Sequence, residues 1–220
     1  MQKEEVFRIL KNVGVVPVVR AETAEEVLLI AEALVDGGLP VAEITLTVPE
    51  AVQAIRACAA RFGKRIVLGA GSVTDPRQCP EVIEAGGLFV VTPAYKPAVV
   101  EQCRKDGIGV ICGGLTPSEI LSAWEAGADA VKVFPVKALG GPSYLQMVHE
   151  PLPQIPLVPT GGVTLETLEA YFRAGAPFVG VGGDLVDRRS VQRGDRAALA
   201  ARARKYLEAV HAVRERLSIA

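Results

Sequence analysis

The feature that most constrains the fold is a regular alternation of short apolar segments with longer stretches that carry helix signals. Eight apolar, largely β-branched segments recur at intervals of roughly 20–30 residues, a spacing typical of repeated βα units. They span residues 15–20, 41–47, 66–70, 88–92, 109–112, 130–134, 157–160 and 178–182. Near-continuous apolar runs of this length are typical of parallel strands buried on both faces. Eight strand–helix units in 220 residues predict an α/β fold, a closed (β/α)8 TIM barrel formed by a single domain over residues 1–220.

The stretches between these segments begin and end with recognisable helix signals. Thr23 and Thr116 each precede a Glu three residues later, as in a capping box, and Thr164 is predicted to open a further helix. Four stretches end in a Gly just before the next apolar segment, which favours a left-handed helix terminus. Residues 3–12 predict an extra N-terminal helix that covers the bottom of the barrel, and residues 195–217 a final helix.

An open, doubly wound sheet is the alternative fold. That fold would place a Gly-x-Gly-x-x-Gly sequence after the first strand, but residues 17–21 read Pro-Val-Val-Arg-Ala. The closed barrel is therefore the preferred prediction.

Composition excludes several classes of protein. The net charge is −1 and no Lys/Arg run is present, which argues against a nucleic-acid partner. No apolar run reaches the ~18 residues of a membrane span, and the acidic N-terminus predicts no signal peptide. The four cysteines lack Cys-x-x-Cys spacing and the two histidines lie far apart, so we expect free thiols, a cytoplasmic location and no metal site.

Two strands carry a charged residue on the side predicted to face the barrel interior. In the second strand, alternation with the apolar helix-facing set turns Glu43, Thr45 and Thr47 inward; in the sixth strand it turns Lys132 inward, so the two charged side chains that face the interior are Glu43 and Lys132. A buried carboxylate is costly unless it is paired, and we expect these two side chains to be partners. An ion pair without chemistry is the alternative reading.

The pair suits covalent catalysis by an amine. An amine attacks a ketone only when it is unprotonated, and desolvation favours that form whereas a nearby carboxylate opposes it. The resulting iminium withdraws electrons from the adjacent C–C bond, and the carboxylate can move protons as a general acid and base. Lys132 and Glu43 are therefore the predicted catalytic residues, and no metal or cofactor is required.

Other candidate ligands also fall at the ends of strands. Gly161-Gly162 and Gly182-Gly183 follow the last two strands, where barrels commonly bind phosphate through backbone N–H groups; two tight turns are the alternative. Ser72 offers a hydroxyl after the third strand. Arg20, at the end of the first strand, can bind a carboxylate or be a solvated surface residue.

These residues resemble the family of 2-keto-3-deoxy-6-phosphogluconate (KDPG) aldolase and 4-hydroxy-2-oxoglutarate (KHG) aldolase, which includes a phosphogalactonate branch. The likeness covers about residues 5 to 205. Its most specific segments are residues 42–45 (Ala-Glu-Ile-Thr), 69–73 (Gly-Ala-Gly-Ser-Val), 91–93 (Val-Thr-Pro), 131–135 (Val-Lys-Val-Phe-Pro), 159–162 (Pro-Thr-Gly-Gly) and 180–183 (Gly-Val-Gly-Gly).

The resemblance implies a class I aldolase in which Lys132 forms the Schiff base and Glu43 transfers protons. It implies that Ser72 binds the pyruvate carboxylate and that Pro93 and Phe134 line the pyruvate pocket. The distal end of the substrate would contact Thr160, Gly161, Gly162, Gly182 and Gly183. The implied reaction splits KDPG into pyruvate and glyceraldehyde 3-phosphate, and KHG into pyruvate and glyoxylate. The implied assembly is a homotrimer.

Two positions depart from the family pattern. One branch carries an Arg on the second strand that binds the keto-acid carboxylate, where this chain has Thr47; we expect Arg20 to supply that charge from the neighbouring strand. Asp184 stands where some members have a Ser that contacts phosphate. Either its carboxylate turns away and leaves the Gly183 N–H to bind, or the preferred substrate is less phosphorylated.

Three other functions remain as alternatives. The first is an aldolase for the phosphogalactonate epimer. The second is a phosphate-binding barrel isomerase or decarboxylase that uses the same pair without a covalent adduct. The third is a metabolite-binding or scaffolding barrel, which has no need of an inward pair of Glu43 and Lys132.

Overall fold

Eight parallel strands form the barrel in the computed structural model, which describes residues 1–218. Their bounds are Val15–Val19 (β1), Val41–Thr45 (β2), Val67–Gly71 (β3), Phe89–Val91 (β4), Gly109–Gly113 (β5), Ala130–Val133 (β6), Leu157–Pro159 (β7) and Val179–Val181 (β8). Neighbouring strands follow the chain order from β1 to β7, and β8 pairs with β1. A single bridge between Thr160 and Gly180 joins β7 to β8. The predicted (β/α)8 barrel is confirmed, and the alternative open sheet is wrong.

Helices surround the barrel. The α-helices are Lys3–Val13 (α1), Ala24–Asp36 (α2), Ala51–Phe62 (α3), Gln78–Glu84 (α4), Pro97–Asp106 (α5), Pro117–Glu125 (α6), Pro142–His149 (α7), Leu168–Arg173 (α8), Arg188–Gln192 (α9) and Arg196–Leu217 (α10). Short 3-10 helices span Gly63–Arg65 and Val136–Leu139. Among the described residues, no helix is long and apolar enough to cross a membrane.

Local signals in the sequence account for several of these boundaries. Thr116 accepts a hydrogen bond from the Glu119 N–H while the Glu119 carboxylate accepts from the Thr116 N–H, so α6 has a complete capping box. Thr23 caps α2, but there the Glu26 carboxylate accepts from Glu22 instead. The glycines before β2, β4, β6 and β8 adopt positive φ (Gly38, Gly86, Gly127 and Gly175), the conformation that ends helices most readily at glycine.

One predicted helix start is wrong. Thr164 does not open a helix. Its N–H donates to the Thr167 hydroxyl, and the Thr167 N–H donates to the Thr164 carbonyl, so these residues form a closed turn. The helix α8 begins four residues later, at Leu168. A Thr side chain that bonds locally competes with helical backbone hydrogen bonds, so a turn and a helix start share the same sequence signal.

The strands are buried along their whole length, and the core is continuous from the barrel interior to the helix layer. β1 ends at Val19 and β2 ends at Thr45, so Arg20 and Thr47 lie just beyond their strands rather than within them. The N-terminal helix α1 packs under β5, where the Phe7 ring lies 2.5 Å from the point a Cβ of Gly109 would occupy. Its start is tied to the barrel by the Lys3–Asp129 ion pair at 2.9 Å.

Candidate active site

The predicted reactive pair lies inside the barrel. Nζ of Lys132 donates to Oε1 of Glu43 across 3.3 Å. Glu43 is 3% exposed and Lys132 5% exposed, and both belong to the few charged or polar residues that are buried. At this depth the charges interact far more strongly than they would in water, so each of the two side chains is the partner that the other needs in the interior.

A glycine on the neighbouring strand makes room for Glu43. The register pairs Thr45 of β2 with Gly71 of β3, and the Glu43 side chain passes over Gly71. A Cβ at position 71 would lie 2.1 Å from Oε1 and 2.8 Å from Cγ of Glu43, inside van der Waals contact. The direction of the carboxylate therefore depends on the missing side chain at Gly71.

The backbone of Lys132 is held by the neighbouring strand β5, which is held in turn by Thr92 at the end of β4. The Lys132 carbonyl accepts from the Gly114 N–H at 3.0 Å, and Lys132 lies beside Gly113 in the β5–β6 register. Thr92, which is fully buried, accepts from the Gly113 N–H at 2.8 Å and donates to the Ala94 carbonyl at 2.7 Å. The half-buried Pro93, which was predicted to line the pyruvate pocket, lies against Gly113. It follows β4, so β5 lies between it and the strand that carries Lys132.

Phe134 connects the pair to an open cavity. Nζ of Lys132 lies 5.4 Å from the centre of the Phe134 ring, within the range of a cation–π contact. The same ring lines a cavity of about 250 Å³ at the carboxyl ends of β1, β7 and β8. The cavity is lined by Val18, Arg20, Phe134, Thr160, Gly161, Gly162, Val163, Thr164, Gly182, Gly183 and Asp184. The structure thus gathers eight of the predicted substrate-binding residues around one space.

Four residues that line this cavity have unpartnered backbone N–H groups. Within residues 1–218, the N–H groups of Gly161, Gly162, Gly183 and Asp184 have no hydrogen-bond acceptor. Gly161 and Gly162 adopt φ values of +88° and +85°, a conformation that strains other residues. A Cβ at Gly162 would also meet the Lys137 side chain at 2.5 Å. Free donors in two adjacent turns are a typical arrangement for binding an anion.

Asp184 is turned toward the last helix. Its Oδ2 accepts from Nη2 of Arg202 at 2.6 Å and from the Tyr206 hydroxyl. Burial, together with the facing Asp184 carboxylate, raises the pKa of Tyr206, so the phenol stays protonated and donates. The sequence leaves two interpretations of Asp184 open. This geometry favours the one in which its carboxylate turns away and the Gly183 N–H is available to bind a ligand.

Three predicted ligands lie at the edge of the site. Arg20 is exposed and forms no ion pair with any described residue, so its guanidinium is available to a ligand. Thr47 is exposed, and its hydroxyl lies 2.9 Å from that of Thr45. Ser72 is half-buried with φ +58°. Non-glycine residues in that conformation are uncommon and cluster at functional sites.

The described residues contain no group of three or more His, Cys, Asp or Glu side chains that could hold a metal ion. The polar groups at the site are instead an amine, a carboxylate, hydroxyls and backbone N–H groups. These donors and acceptors suit an organic anion.

Seven residues at the site were not predicted from the sequence as site residues: Val18, Gly71, Thr92, Val163, Thr164, Arg202 and Tyr206. Gly71 and Thr92 lie within residues 69–73 and 91–93, two of the segments that carry the family resemblance. A small or hydroxyl-bearing residue at a strand end was the signal that could have identified them as site residues. Arg202 and Tyr206 come from α10, far from any strand end, and only the folded chain brings them to Asp184.

A buried amine and carboxylate at the ligand-binding end of a (β/α)8 barrel mark this chain as a barrel enzyme whose reactive groups are an amine and a carboxylate. The family described as "Aldolase: KDPG and KHG aldolase" matches residues 6–202. The chain therefore belongs to the KDPG and KHG aldolase family, as its motifs predicted. Aldolases of this family are carbon–carbon lyases.

Relatives and solved structures agree with this membership. The chain is 34% identical over 209 residues to a 2-dehydro-3-deoxy-phosphogluconate aldolase of Treponema pallidum, covering 93% of this chain and 97% of the relative. It is 35% identical to a 2-dehydro-3-deoxy-6-phosphogalactonate aldolase of Escherichia coli, covering 89% and 95%. A KDPG aldolase structure from Legionella pneumophila, with pyruvate captured as a covalent carbinolamine, superposes with a TM-score of 0.83 at 28% identity, covering 89% and 95%.

Proposed function

We propose that this protein is a class I aldolase that cleaves KDPG to pyruvate and glyceraldehyde 3-phosphate through a Schiff base at Lys132. The observation that carries the proposal is the buried contact of 3.3 Å between Nζ of Lys132 and Oε1 of Glu43. The cavity beyond Phe134 and its free N–H groups supply a place for the distal phosphate. The covalent carbinolamine named for the Legionella pneumophila structure supports an amine mechanism in the family.

The proposed reaction follows from the pair. The Lys132 amine adds to the C2 carbonyl and water leaves, which gives an iminium. Glu43 takes the proton of the C4 hydroxyl as the C3–C4 bond breaks, and the electron pair of that bond moves into the iminium to form an enamine and release the aldehyde. Glu43 then returns a proton to C3, and water hydrolyses the pyruvate iminium to free the amine.

The remaining site residues receive proposed roles from their positions. Arg20 is the cation for the keto-acid carboxylate, since it directly follows β1 and forms no ion pair with any described residue. Ser72 and Thr47 add hydroxyl groups at the ends of β3 and β2, and Pro93 and Phe134 form walls next to the amine. Thr160 and the two glycine pairs bind the distal phosphate.

Borohydride reduction in the presence of pyruvate tests the covalent step. The expected result is a stable mass adduct on Lys132, absent from Lys132→Ala and present in the control Lys137→Ala. Lys137 is also close to the cavity but is exposed. An enzyme that turned over substrate without any adduct would instead be the isomerase or decarboxylase.

The same site accommodates a second substrate class. The relatives include a phosphogalactonate aldolase, and the family description includes KHG aldolase, so we propose KHG and the phosphogalactonate epimer as further substrates. Parallel measurement of kcat/KM for KDPG, its C4 epimer and KHG ranks them. Turnover of none of the three would leave a binding or scaffolding protein.

The proposed assembly is a homotrimer of single-domain chains spanning residues 1–220. Leu121 of α6, Leu139 of the second 3-10 helix and Met147 of α7 are large apolar side chains exposed by 37%, 43% and 69%. Exposed apolar side chains that come together in one patch are typical of a protein contact, and we propose that these three contribute to the contact between chains. Light scattering should give three times the chain mass, and Met147→Glu should lower it; a single chain mass for the unaltered protein would refute the assembly.

We also propose a cytoplasmic location. All four cysteines are free and buried, including Cys79 and Cys103, whose Sγ atoms lie 3.7 Å apart without a bond. Unpaired thiols this close are typical of a reducing compartment.

A further inference from the structure

The turn after β8 contains a carboxylate, Asp184, which is unusual in a loop that binds an anion. It is closed by two hydrogen bonds, from the Leu185 and Val186 N–H groups to the Gly182 carbonyl, at 3.0 and 2.9 Å. Nothing lies within 4 Å of the points where Cβ atoms of Gly182 and Gly183 would stand. No packing therefore holds the cavity side of the turn, and Asp184 is the first residue whose side chain can anchor it.

Arg202 binds Asp184 at two points. Its Nε donates to the Asp184 backbone carbonyl at 2.8 Å and its Nη2 to the Asp184 carboxylate at 2.6 Å. The guanidinium carbon lies 5.9 Å from the centre of the Tyr206 ring, and the Tyr206 hydroxyl binds the same carboxylate oxygen. Because Tyr206 is fully buried in α10, this anchor is part of the rigid helix layer.

Arg202 also decides the charge that a ligand meets. An uncompensated carboxylate one residue from the Gly183 N–H would repel a phosphate. Glu166 is a second carboxylate close enough to interact with both Asp184 and Arg202. Paired with Arg202, Asp184 adds no net charge, which leaves the free N–H groups of Gly183 and Asp184 able to bind an anion beside the single remaining carboxylate of Glu166.

We propose that Arg202 is a positioning residue for the distal phosphate, which acts by cancelling the charge of Asp184 in the turn formed by residues 182–186. This inference rests on the proposed function, because it concerns the phosphate end of that substrate. It assigns to α10 a part in substrate selection, although α10 supplies no group to the cavity itself. It also explains how this chain can carry an acid at a phosphate-binding position.

The test compares KDPG with the same sugar acid lacking its phosphate, 2-keto-3-deoxygluconate. The measured quantity is the ratio of kcat/KM for the phosphorylated over the unphosphorylated substrate. Arg202→Gln should lower this ratio by about tenfold or more, mainly through KM, since a charge is left uncompensated at the phosphate site. Adding Asp184→Asn to Arg202→Gln should bring the ratio back to within about threefold of the original value, because the repulsion is removed.

Two further variants keep the test decisive. Arg204→Gln on the same helix is the matched control, since Arg204 is exposed and binds only the Asp36 carbonyl; it should not change the ratio. If Arg202→Gln fails to fold, Asp184→Asn alone answers the question, because removal of the acid beside an intact Arg202 should hold or raise the ratio. An unchanged ratio in Arg202→Gln, a loss that Asp184→Asn does not restore, or a fall in Asp184→Asn alone would overturn the proposal.

Inorganic phosphate separates this inference from the proposed function. Calorimetric titration should show phosphate binding to the unaltered protein and binding about tenfold weaker in Arg202→Gln. Phosphate binding with this dependence, but no cleavage of any keto acid, would refute the lyase and leave the role of Arg202 intact. Cleavage of both sugar acids with equal efficiency and no phosphate binding would refute the role of Arg202 and leave the lyase intact.

Discussion

At the scale of single residues, the geometry of the reactive pair depends on a position that carries no side chain. Glu43 reaches Lys132 by crossing the backbone of Gly71, where any Cβ would lie within 2.1 Å of its carboxylate oxygen. The strand could hold alanine without harm to its backbone, because Gly71 is not among the residues with positive φ. The requirement for glycine therefore comes from Glu43 and not from the strand.

Gly71→Ala should reduce kcat by about 10- to 100-fold, because displacement of a catalytic group by about 1 Å costs that much. The methyl group pushes the Glu43 carboxylate away while Lys132 keeps its position, so borohydride trapping of pyruvate should persist. Steady-state kinetics and mass spectrometry measure the two effects. Thr74→Ala, an exposed change just beyond the same strand, is the control. Full activity in Gly71→Ala would show that Glu43 does not act from this position.

A second residue links stability to pH. Burial raises the pKa of the Cys58 thiol in α3 to about 11, although Arg61 opposes the shift. Since the folded pKa lies above the unfolded value, Cys58 stabilises the fold fully below about pH 9 and loses that contribution as pH rises toward 11. The contribution is on the order of 1 kcal/mol per pH unit within this window.

Urea unfolding between pH 8 and pH 11 tests this link. Cys58→Ala should flatten the decline of the unfolding free energy in that window, while other alkaline titrations remain common to both proteins. The slopes are compared rather than the absolute values, because loss of the sulfur also leaves a small cavity. Identical slopes would show that the thiol does not titrate with folding.

At the scale of elements, the capping box of α6 allows the contribution of a local sequence signal to the unfolding free energy to be measured. Thr116 and Glu119 satisfy each other's backbone N–H groups, and α6 precedes the strand that carries Lys132. Thr116→Ala should lower the unfolding free energy by about 1 kcal/mol, the usual value of such a cap. Ser118→Ala, an exposed change in the first turn of the same helix, should change it by less than about 0.5 kcal/mol. Equal effects would show that the cap contributes nothing beyond helix propensity.

The elements were predictable because their signals are periodic and local. Apolar runs gave all eight strands, but their ends were placed one or two residues off, as at Arg20 and Thr47. Polar side chains also occur within strands, as Glu43 and Thr45 do, so a polar residue such as Arg20 or Thr47 does not show where the strand stops; the backbone pairing does. Thr164 was mistaken for a helix start because a Thr at a turn and a Thr at a helix cap look alike in sequence.

The candidate site was predictable only in part, for a different reason. Inward-facing positions on strands follow from alternation, and these gave Glu43 and Lys132. The partner of Asp184 could not be found in this way, since Arg202 lies 18 residues further along on a helix that packs against the barrel. Contacts between a loop and a distant helix depend on the tertiary fold, and no periodicity in the sequence records them.

At the scale of the whole molecule, the two ends of the barrel have different tasks. The reactive pair and the cavity lie at the carboxyl ends of the strands, whereas α1 covers the opposite end with Phe7 under Gly109. In barrels of this kind, the amino-terminal end of the strands contributes stability and the carboxyl end contributes chemistry.

Phe7→Ala should therefore lower the unfolding free energy by about 3 kcal/mol, as for other buried aromatic residues, while kcat/KM for KDPG stays unchanged at temperatures where the variant is folded. Denaturant titration and steady-state kinetics measure the two quantities. Arg8→Ala, on the exposed side of α1, should alter neither. A loss of activity without a loss of stability would contradict this division between the two ends.

The way in which the barrel is closed determines where neighbouring strands separate most easily. Each of the other neighbouring strand pairs shares two to five register pairs, whereas β7 and β8 meet through Thr160 and Gly180 alone. The free N–H groups of Gly162 and Gly183 lie on opposite sides of this join. If phosphate accepts from both groups, as proposed above, its binding energy would add to the cost of separating β7 from β8. We therefore expect amide exchange in these two strands to slow when inorganic phosphate or substrate occupies the cavity.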